Sequence, residues 1–333
     1  MPIILGIESS CDDTSAAICK DGLIYSNTVA NQSIHECYGG VVPELASRAH
    51  QQNIIPTIYQ AISNAKIQKN DVNAIAFTRG PGLLGSLLVG TCFAKAFALA
   101  NKIPLIEVDH MQAHILAHFI DDPKPSFPFI CLTVSGGHTQ IVLVKDYFNF
   151  TIVGQTTDDA AGEAFDKTAK ILGLPYPGGP LIDQYAQLGN SAAFKFPEPK
   201  IAGFDFSFSG LKTSILYFIR DEVKKNPNFI TTHLADICAS VQLRIITILL
   251  AKLKLAAKHY GIKNIAIAGG VSANSGLRKA LEQAALENNW QVFIPKFEYC
   301  TDNAAMIAIT AYHKYLKQDF VGQTVVPSPR LHW

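Results

Sequence analysis

Residues Ile130–Val144 read I-C-L-T-V-S-G-G-H-T-Q-I-V-L-V, and this stretch decides the fold. Two runs of apolar and β-branched residues flank the turn Ser135–His138, a pattern typical of a β-hairpin with glycines where the backbone needs unusual dihedral angles. Because glycine has no Cβ, such a turn lets a phosphate approach bare backbone N–H groups. The hairpin predicts a site for a phosphate or an acyl phosphate, with an ordinary hairpin turn as the alternative.

A stretch near the N-terminus has the same plan. The apolar run Ile3–Ile7 is followed by the small polar turn Ser9–Thr14 and by a second run, Ser15–Cys19. A third strand is expected at Ile24–Ala30, as one is at Phe150–Gly154 after the later hairpin. The repeated plan predicts an internal duplication, with two unrelated hairpins as the alternative.

Length and composition indicate a two-lobed globular protein. A chain of 333 residues exceeds the size at which single cores stop growing. Hydrophobic residues make up 48% and charged residues 17%, which excludes a disordered chain. The formal net charge of +1 excludes a strongly basic nucleic-acid-binding protein, so any contact with nucleic acid must use local patches.

Several features predict a cytoplasmic protein that does not enter a membrane. The seven cysteines have no C-x-x-C spacing, which favours reduced thiols over disulfides or a cysteine-based zinc site. The N-terminus lacks a basic region and reaches Glu8 too early for a signal peptide. The apolar run Leu83–Ala100 contains Lys95 and many small residues, so we expect a buried core helix.

Strands alternate with helical patterns along the whole chain, which predicts an α/β protein with a mixed sheet in each lobe. A helix is expected over Pro43–Ala65, with a kink or break at Pro56. Another is expected to end at Gly261, as at a C-terminal cap. The proline-rich segment Asp121–Ser126 is the predicted linker between the lobes.

Two histidines have the spacing of metal ligands. His110 and His114 are four residues apart, so a helix would place both imidazoles on one face. Met111 stands where a zinc metalloprotease needs its general-base glutamate, which disfavours a peptidase. Asp302, before the last helix, is a candidate third ligand. Two surface histidines are the alternative.

Two further segments have features of a nucleoside site. Ala268–Asn274 follows a buried strand and opens a helix, whose N-terminus favours a polar or anionic group. It lacks the full dinucleotide-binding and P-loop patterns, so a plain turn is the alternative. The acidic run Asp158–Lys167 leads into a helix, and it either caps that helix with first-turn carboxylates or places Asp166 against a ligand hydroxyl. Gly178–Pro180 and Asp183 follow and are expected to line the same cleft.

Ten segments together, in order from about Ile3 to Ala311, closely resemble the tRNA adenosine N6-threonylcarbamoyltransferase family. They are G-I-E-S-S-C-D-D-T, G-G-V-V-P-E-L-A-S-R, G-P-G-L-L-G-S-L, H-M-Q-A-H, V-S-G-G-H-T-Q, D-D-A-A-G-E-A-F-D-K, Y-P-G-G-P, F-S-F-S-G-L-K-T, A-G-G-V-S-A-N and C-T-D-N-A-A-M-I. Gln112 and Ala113 stand where glutamate and glycine are common in the family, and Asp13 replaces a frequent glutamate, which leaves the metal ligands implied by the resemblance unchanged.

The resemblance implies an α/β fold with two ribonuclease-H-like lobes of the actin and sugar-kinase superfamily (ASKHA) around a central nucleotide cleft. Residues 1–120 would form the N-terminal lobe, completed by the last helix within 303–333. Residues 127–302 would form the C-terminal lobe.

The resemblance also implies the site. His110, His114 and Asp302 would hold one divalent ion, Fe²⁺ in the first place and Zn²⁺ as the alternative. The substrate would be contacted by Thr133, Val134, Ser135, Gly136, Gly137, Asp166, Gly179, Asp183 and Asn274. As a hypothesis, the metal polarises the carbonyl under attack, and Asp12 or Asp13 assists proton removal from the attacking amine.

The implied reaction moves a threonylcarbamoyl group from threonylcarbamoyl-AMP to N6 of the adenosine just 3′ of the anticodon. The tRNAs concerned read codons that begin with A, and AMP is released. Expected partners are tRNA, a smaller inactive paralogue of the same fold and a separate P-loop ATPase. A small-molecule kinase or ATPase of the same fold is the first alternative, although it would not need two histidines on a helix. A non-catalytic paralogue is disfavoured by the intact His110, His114 and Asp302, and a metal-dependent peptidase ranks last.

Overall fold

Strands and helices alternate along the chain. The computed structural model describes residues 2–331, the side chains of residues 33 and 36 excepted. The strands are β1 (Ile3–Glu8), β2 (Thr14–Lys20), β3 (Leu23–Ala30), β4 (Ala74–Gly80), β5 (Leu105–Asp109), β6 (Phe129–Val134), β7 (Thr139–Asp146), β8 (Asn149–Gln155), β9 (Asn264–Ala268) and β10 (Gln291–Phe293). The α-helices are α1 (Pro43–Asn64), α2 (Leu84–Asn101), α3 (His110–Leu116), α4 (Ala161–Ile171), α5 (Gly178–Ala186), α6 (Ser209–Lys225), α7 (Phe229–Tyr260), α8 (Ser275–Asn288) and α9 (Ala304–Leu316).

The chain forms two units. Residues up to Lys124 group with those from Pro295 onward, and Pro125–Ile294 forms the second unit. The division after Lys124 falls inside the predicted linker, and residues 295–302 group with the first unit. Residues 1, 332 and 333, which the lobe prediction includes, lie outside the described residues.

The first sheet has the strand order β3-β2-β1-β4-β5. β2 pairs antiparallel with both β1 and β3, whereas β4 runs parallel to β1, and β5 to β4. The carboxyl ends of β1, β4 and β5 therefore meet at one edge, where ligands bind in sheets of this kind. That edge holds Glu8, the turn Ser9–Thr14 and the start of α3.

Helices cover both faces of this sheet. Leu5 and Ile7 of β1 pack with Ile54 and Ile58 of α1 in one hydrophobic cluster. Gly6 points to the other face, because successive residues of a strand alternate between faces. A Cβ at Gly6 would lie 2.8 Å from the backbone N of Ala308, so α9 lies directly on β1.

Two helix expectations need correction. α1 continues through Pro56, so the expected break does not occur there, and a kink at Pro56 stays a prediction. α2 is buried on one face only, since Leu84 and Leu99 are 52% and 69% exposed. Both α2 and α7 are long and apolar enough to cross a membrane. In their most apolar 18-residue segments, 33% of α2 and 61% of α7 is buried inside the protein. This is weak support for a membrane span, because core helices share these properties.

The second sheet repeats the plan of the first. Its strand order is β10-β9-β6-β7-β8. Taken from the other end, β8-β7-β6-β9-β10 corresponds strand for strand to β3-β2-β1-β4-β5 of the first sheet. β7 pairs antiparallel with β6 and β8, and β9 pairs parallel with β6 and β10. The predicted duplication is therefore confirmed. α7 ends at Gly261, whose φ of 65° is the left-handed conformation predicted for that cap.

The turn of the central hairpin differs from its prediction. Ser135 N donates to His138 O at 2.8 Å, and His138 N donates to Ser135 Oγ at 3.1 Å. Gly136 and Gly137 are not among the described glycines with positive φ, so the expectation of unusual dihedral angles is wrong. A Cβ on either glycine would meet no described atom within 4 Å. The space beside both glycines is therefore open.

Candidate metal centre and substrate loops

The two predicted histidine ligands lie at the start of α3. His110 directly follows β5, and Asp109 caps the helix by accepting a hydrogen bond from Gln112 N at 2.9 Å. His110 and His114 are only 8% and 2% exposed. The alternative of two surface histidines is therefore wrong.

Asp302 completes a group of three potential ligands. It precedes α9, and its Oδ1 lies 3.3 Å from Nε2 of His110 and 3.3 Å from Nε2 of His114. One ligand atom from each residue lies within 4.8 Å of the others. Asn303 fixes this corner, because its side chain accepts from Met306 N at 3.0 Å and caps α9.

The group fits a divalent ion. Two atoms bound about 2.1 Å from an ion at a tetrahedral angle are roughly 3.4 Å apart, close to the 3.3 Å between Asp302 Oδ1 and Nε2 of each histidine. Nδ1 of His114 is buried without a hydrogen-bond partner in the described structure. Two imidazoles and one carboxylate form the donor set of non-haem iron sites and of some zinc sites. The residues present therefore suit either metal.

Glu8 supports His110 from behind and was missed by the sequence reasoning. It is fully buried, and its Oε2 lies 3.1 Å from Nδ1 of His110. Ser10 N and Thr78 Oγ1 each donate to the Glu8 carboxylate at 2.5 Å. A carboxylate on the second ring nitrogen orients a metal-binding histidine and raises its basicity. The available signal was an acidic residue closing the buried strand I-I-L-G-I-E, since a buried carboxylate needs a partner.

The charges of the centre are tightly linked. Burial raises the pKa of both Glu8 and Asp302, but the interaction with His110 outweighs it and holds each pKa below its usual value. Burial lowers the pKa of His110, yet Asp302 and Glu8 raise it well above the usual value. The pKa of His114 is lowered by burial. These shifts favour a protonated His110 and a neutral His114 in the metal-free centre.

Metal loading should release a proton from His110. An imidazole binds a metal only through a deprotonated nitrogen, and the pKa of His110 lies well above its usual value. We expect about one proton per ion at pH 7, and an affinity that rises with pH. Calorimetric titration of metal-free protein with Zn²⁺ in two buffers of different ionisation enthalpy measures that number. Glu8→Gln should reduce it, whereas equal heats in both buffers would contradict the assignment.

Asp12 and Asp13 lie in the turn between β1 and β2, and both are half-buried. Burial raises the pKa of Asp13 to about 7, with further contributions from the charges of Asp12, Asp302 and Glu8. A carboxylate that titrates near the working pH is suited to accept a proton during catalysis.

The predicted phosphate turn lies at the carboxyl end of β6. Gly136 and Gly137 are exposed, whereas Thr133 and Val134 are fully buried within the strand. In this conformation only the exposed part of the turn offers its backbone to a ligand.

Two neighbouring glycines pack against the same turn. A Cβ on Gly162, at the start of α4, would lie 2.5 Å from Ser135 O. A Cβ on Gly269, after β9, would lie 2.6 Å from Val134 O, and the φ of Gly269 is 85°. The start of α4 and the loop after β9 therefore lie beside the turn.

Asp166 and Gly179 lie together at the start of α5. Asp166 Oδ1 accepts hydrogen bonds from the backbone N of Gly178 and Gly179 at 2.9 and 3.0 Å. Burial raises the pKa of Asp166, and these two bonds oppose the rise. Asp166 is thus a cap for a helix other than its own, and its contact with a ligand hydroxyl stays a prediction.

Asp183 and Asn274 lie together at the start of α8. The Asp183 carboxylate accepts from Ser275 N at 2.9 Å and from Ser275 Oγ at 2.8 Å. Asn274 caps α8 by accepting from Leu277 N at 2.8 Å, and it donates to Gln242 Oε1 at 2.7 Å. Their contacts with substrate stay predictions.

Comparison with known proteins decides the family. The family model of tRNA N6-adenosine threonylcarbamoyltransferase matches residues 23–309. The chain belongs to this family. It is 64% identical to the tRNA N6-adenosine threonylcarbamoyltransferase of Christiangramia forsetii, covering 98% of this chain and 97% of the relative. The enzyme of the same name from Cytophaga hutchinsonii is 62% identical over 98% of this chain and 96% of its own length. The protein is therefore a tRNA-modifying transferase, which disfavours a small-molecule kinase or ATPase.

Solved structures of remote sequence share the fold. HypF from T. kodakarensis superposes with a TM-score of 0.60 at 14% identity, over 95% of this chain and 48% of that chain. Component A of (R)-2-hydroxyglutaryl-CoA dehydratase from Acidaminococcus fermentans gives 0.53 at 18% identity, over 95% and 100%. At such identities the likeness shows the fold alone. It agrees with the predicted α/β fold with one mixed sheet in each lobe.

Proposed function

We propose that this transferase moves the threonylcarbamoyl group from threonylcarbamoyl-AMP to N6 of the adenosine just 3′ of the anticodon. Its substrates are tRNAs that read codons beginning with A. Because the chain belongs to this family, one observation on its structure is the main support for the proposal. Two buried histidines and a carboxylate converge in one group, with the buried Glu8 behind His110.

The donor is already activated, so the enzyme needs to position reactants and stabilise charge. In the transfer, the adenosine N6 forms a bond to the carbamoyl carbon. The bond from that carbon to the phosphate oxygen breaks, and AMP leaves with its electron pair. N6 loses a proton, so the site needs a base but no covalent nucleophile. Cys11 is unsuited to nucleophilic attack, because burial, followed by the charge of Asp12, raises its thiol pKa far above the usual value.

His110, His114 and Asp302 would hold one divalent ion, which we assign to Fe²⁺ with Zn²⁺ as the alternative. A bound ion supplies Lewis-acid polarisation of the carbonyl under attack. Glu8 accepts a hydrogen bond from Nδ1 of the metal-binding His110 and thereby directs Nε2 toward Asp302.

We assign the proton from N6 to Asp13, with Asp12 as the second candidate. The pKa of Asp13, about 7, allows a large deprotonated fraction at neutral pH and still permits proton uptake. Both carboxylates are half-buried in one short turn.

In the second unit, the backbone of Ser135, Gly136 and Gly137 would bind the phosphate of the donor. The two glycines are exposed and leave the required space. The adenylate would be contacted by a set of residues at or between helix starts: Asp166, Gly179, Asp183 and Asn274. Thr133 and Val134 are buried in β6, and their part would be to support the turn.

We further propose that the enzyme works in the cytoplasm, away from membranes, in a complex with a smaller inactive paralogue of its own fold and a P-loop ATPase. This arrangement is what the resemblance to the family implies.

The test supplies purified, metal-loaded protein with threonylcarbamoyl-AMP and unmodified tRNA, with and without these partners. Nucleoside analysis by mass spectrometry should detect N6-threonylcarbamoyladenosine. A tRNA with guanosine at the target position is the matched control and should give no product. Absence of product in every combination would overturn the proposal, and phosphorylation of a metabolite by ATP would favour the kinase instead.

A further inference from the structure

His50 links the two ends of the turn that carries Asp12 and Asp13. It lies in α1 and is fully buried. Its Nδ1 lies 2.7 Å from Oγ1 of Thr14, and its Nε2 lies 3.0 Å from the carbonyl oxygen of Cys11. One imidazole thus contacts both residues that flank the two carboxylates.

The hydrogen bonds define the state of this ring. A carbonyl oxygen only accepts, so Nε2 of His50 carries a proton and donates to Cys11 O. Nδ1 then accepts from the Thr14 hydroxyl if the ring is neutral. Burial lowers the pKa of His50, which favours the neutral ring. Both ring nitrogens are therefore satisfied by the turn itself.

The remainder of the turn is anchored to α2. Ser86 Oγ donates to Cys11 O at 2.9 Å, and Leu83 N donates to Ser10 O at 2.7 Å. A Cβ on Gly82 would lie 2.5 Å from Ser10 O, so the backbones pack closely there. The bonds to α1 and α2 fix the turn on both sides of Asp12 and Asp13.

Core packing alone does not account for this histidine. A leucine would fill similar space without the cost of removing a polar ring from water. The imidazole instead forms hydrogen bonds with two groups only three residues apart in sequence, the carbonyl oxygen of Cys11 and the hydroxyl of Thr14. Such a buried and fully satisfied polar network specifies one geometry.

We propose that His50 is a positioning residue for the transfer reaction, which holds the Cys11–Thr14 turn so that Asp12 and Asp13 keep their place at the sheet edge that carries the candidate metal centre. This inference rests on the proposed role of those carboxylates. His50 itself touches neither substrate nor metal.

The test compares His50→Leu with His50→Gln. The glutamine amide has a donor and an acceptor separated by one atom, as the imidazole does, and it does not titrate. We expect His50→Leu to lower kcat about 10- to 100-fold, with the KM for tRNA and the metal content within about twofold of wild type. His50→Gln should recover most of kcat. Thr14→Val, which removes only the hydroxyl partner, carries the test if His50→Leu does not fold.

Ile58→Val is the matched control for a purely structural role. Ile58 lies on the same helix and is 5% exposed, and it belongs to the hydrophobic cluster between α1 and the sheet. It should lower the melting temperature and leave kcat of the folded protein unchanged. Wild-type kcat in His50→Leu, or equal losses in the leucine and glutamine variants, would overturn the inference.

A parallel Asp13→Asn and Asp12→Asn pair separates the two proposals. If either asparagine variant is inactive while His50→Leu is fully active, only the positioning role fails. If both asparagine variants are fully active, the proposed base is wrong, and the positioning role fails with it.

Discussion

His114→Ala is expected to abolish metal binding and to lower kcat by about 1,000-fold or more. The side chain is 2% exposed, and its Nε2 lies 3.3 Å from Asp302 Oδ1. Its loss leaves only two of the three ligands, and the remaining pair cannot enclose an ion. Elemental analysis of the purified protein should show about one ion in wild type and almost none in the variant, and turnover should be measured on the same samples.

Two companion variants sharpen this prediction. His118→Gln changes another buried histidine just after α3 that lies outside the three-residue group, and it should retain the metal. Glu8→Gln keeps all three ligands but weakens the support of His110, so its metal affinity should fall about 10- to 100-fold. Excess metal should then restore much of its turnover. Full metal content in His114→Ala would show that the ion binds elsewhere.

The sequence predicts both sheets because each hairpin combines runs of apolar and β-branched residues with a small polar turn. It predicts the histidine pair because a four-residue spacing depends only on helix geometry. These are local features. The duplicated strand order follows from them, since the same local plan occurs twice and folds in the same way twice.

Long-range partners could not be predicted in this way. Glu8 and His110 are separated by 102 residues, and their contact exists only because β1 and β5 end at the same edge of one sheet. The same holds for His50, whose role depends on α1 packing over the turn. The contact of the Asp183 carboxylate with the start of α8, 92 residues away, was likewise not predicted. Tertiary packing decides these contacts.

Asp13→Asn is expected to lower kcat about 100- to 10,000-fold, the range for removal of a general base. The isosteric amide keeps the shape of the side chain and removes the group that accepts the proton. Asp12→Asn decides between the two candidates, because only the true acceptor should cause the larger loss. In wild type, the loss of turnover at acid pH should report the protonation of this group. Unchanged turnover in Asp13→Asn would assign the proton to another acceptor.

The same substitution should stabilise the metal-free protein at alkaline pH. The pKa of Asp13 is about 7 in the folded protein against 3.8 as its reference. Between these values the folded state binds a proton that the unfolded state does not, so stability falls as pH rises through this window. The full penalty, up to about 4 kcal/mol, acts above pH 7. A bound dication would favour the deprotonated carboxylate and mask the effect, which is why metal must be removed first.

Urea unfolding of the metal-free proteins at pH 5.5 and pH 8 tests this linkage. Wild type should lose about 2 kcal/mol of unfolding free energy between the two pH values through Asp13, and Asp13→Asn should lack this loss. Asp221→Asn, at an exposed aspartate on α6, is the matched control, and its unfolding free energy should change between the two pH values as much as that of wild type. If Asp13→Asn is inactive yet more stable than wild type at pH 8, the fold keeps the Asp13 carboxylate in an environment that costs stability because the reaction needs it there. Equal changes in all three proteins would place the pKa of Asp13 near its usual value and remove the physical basis for its role as the base.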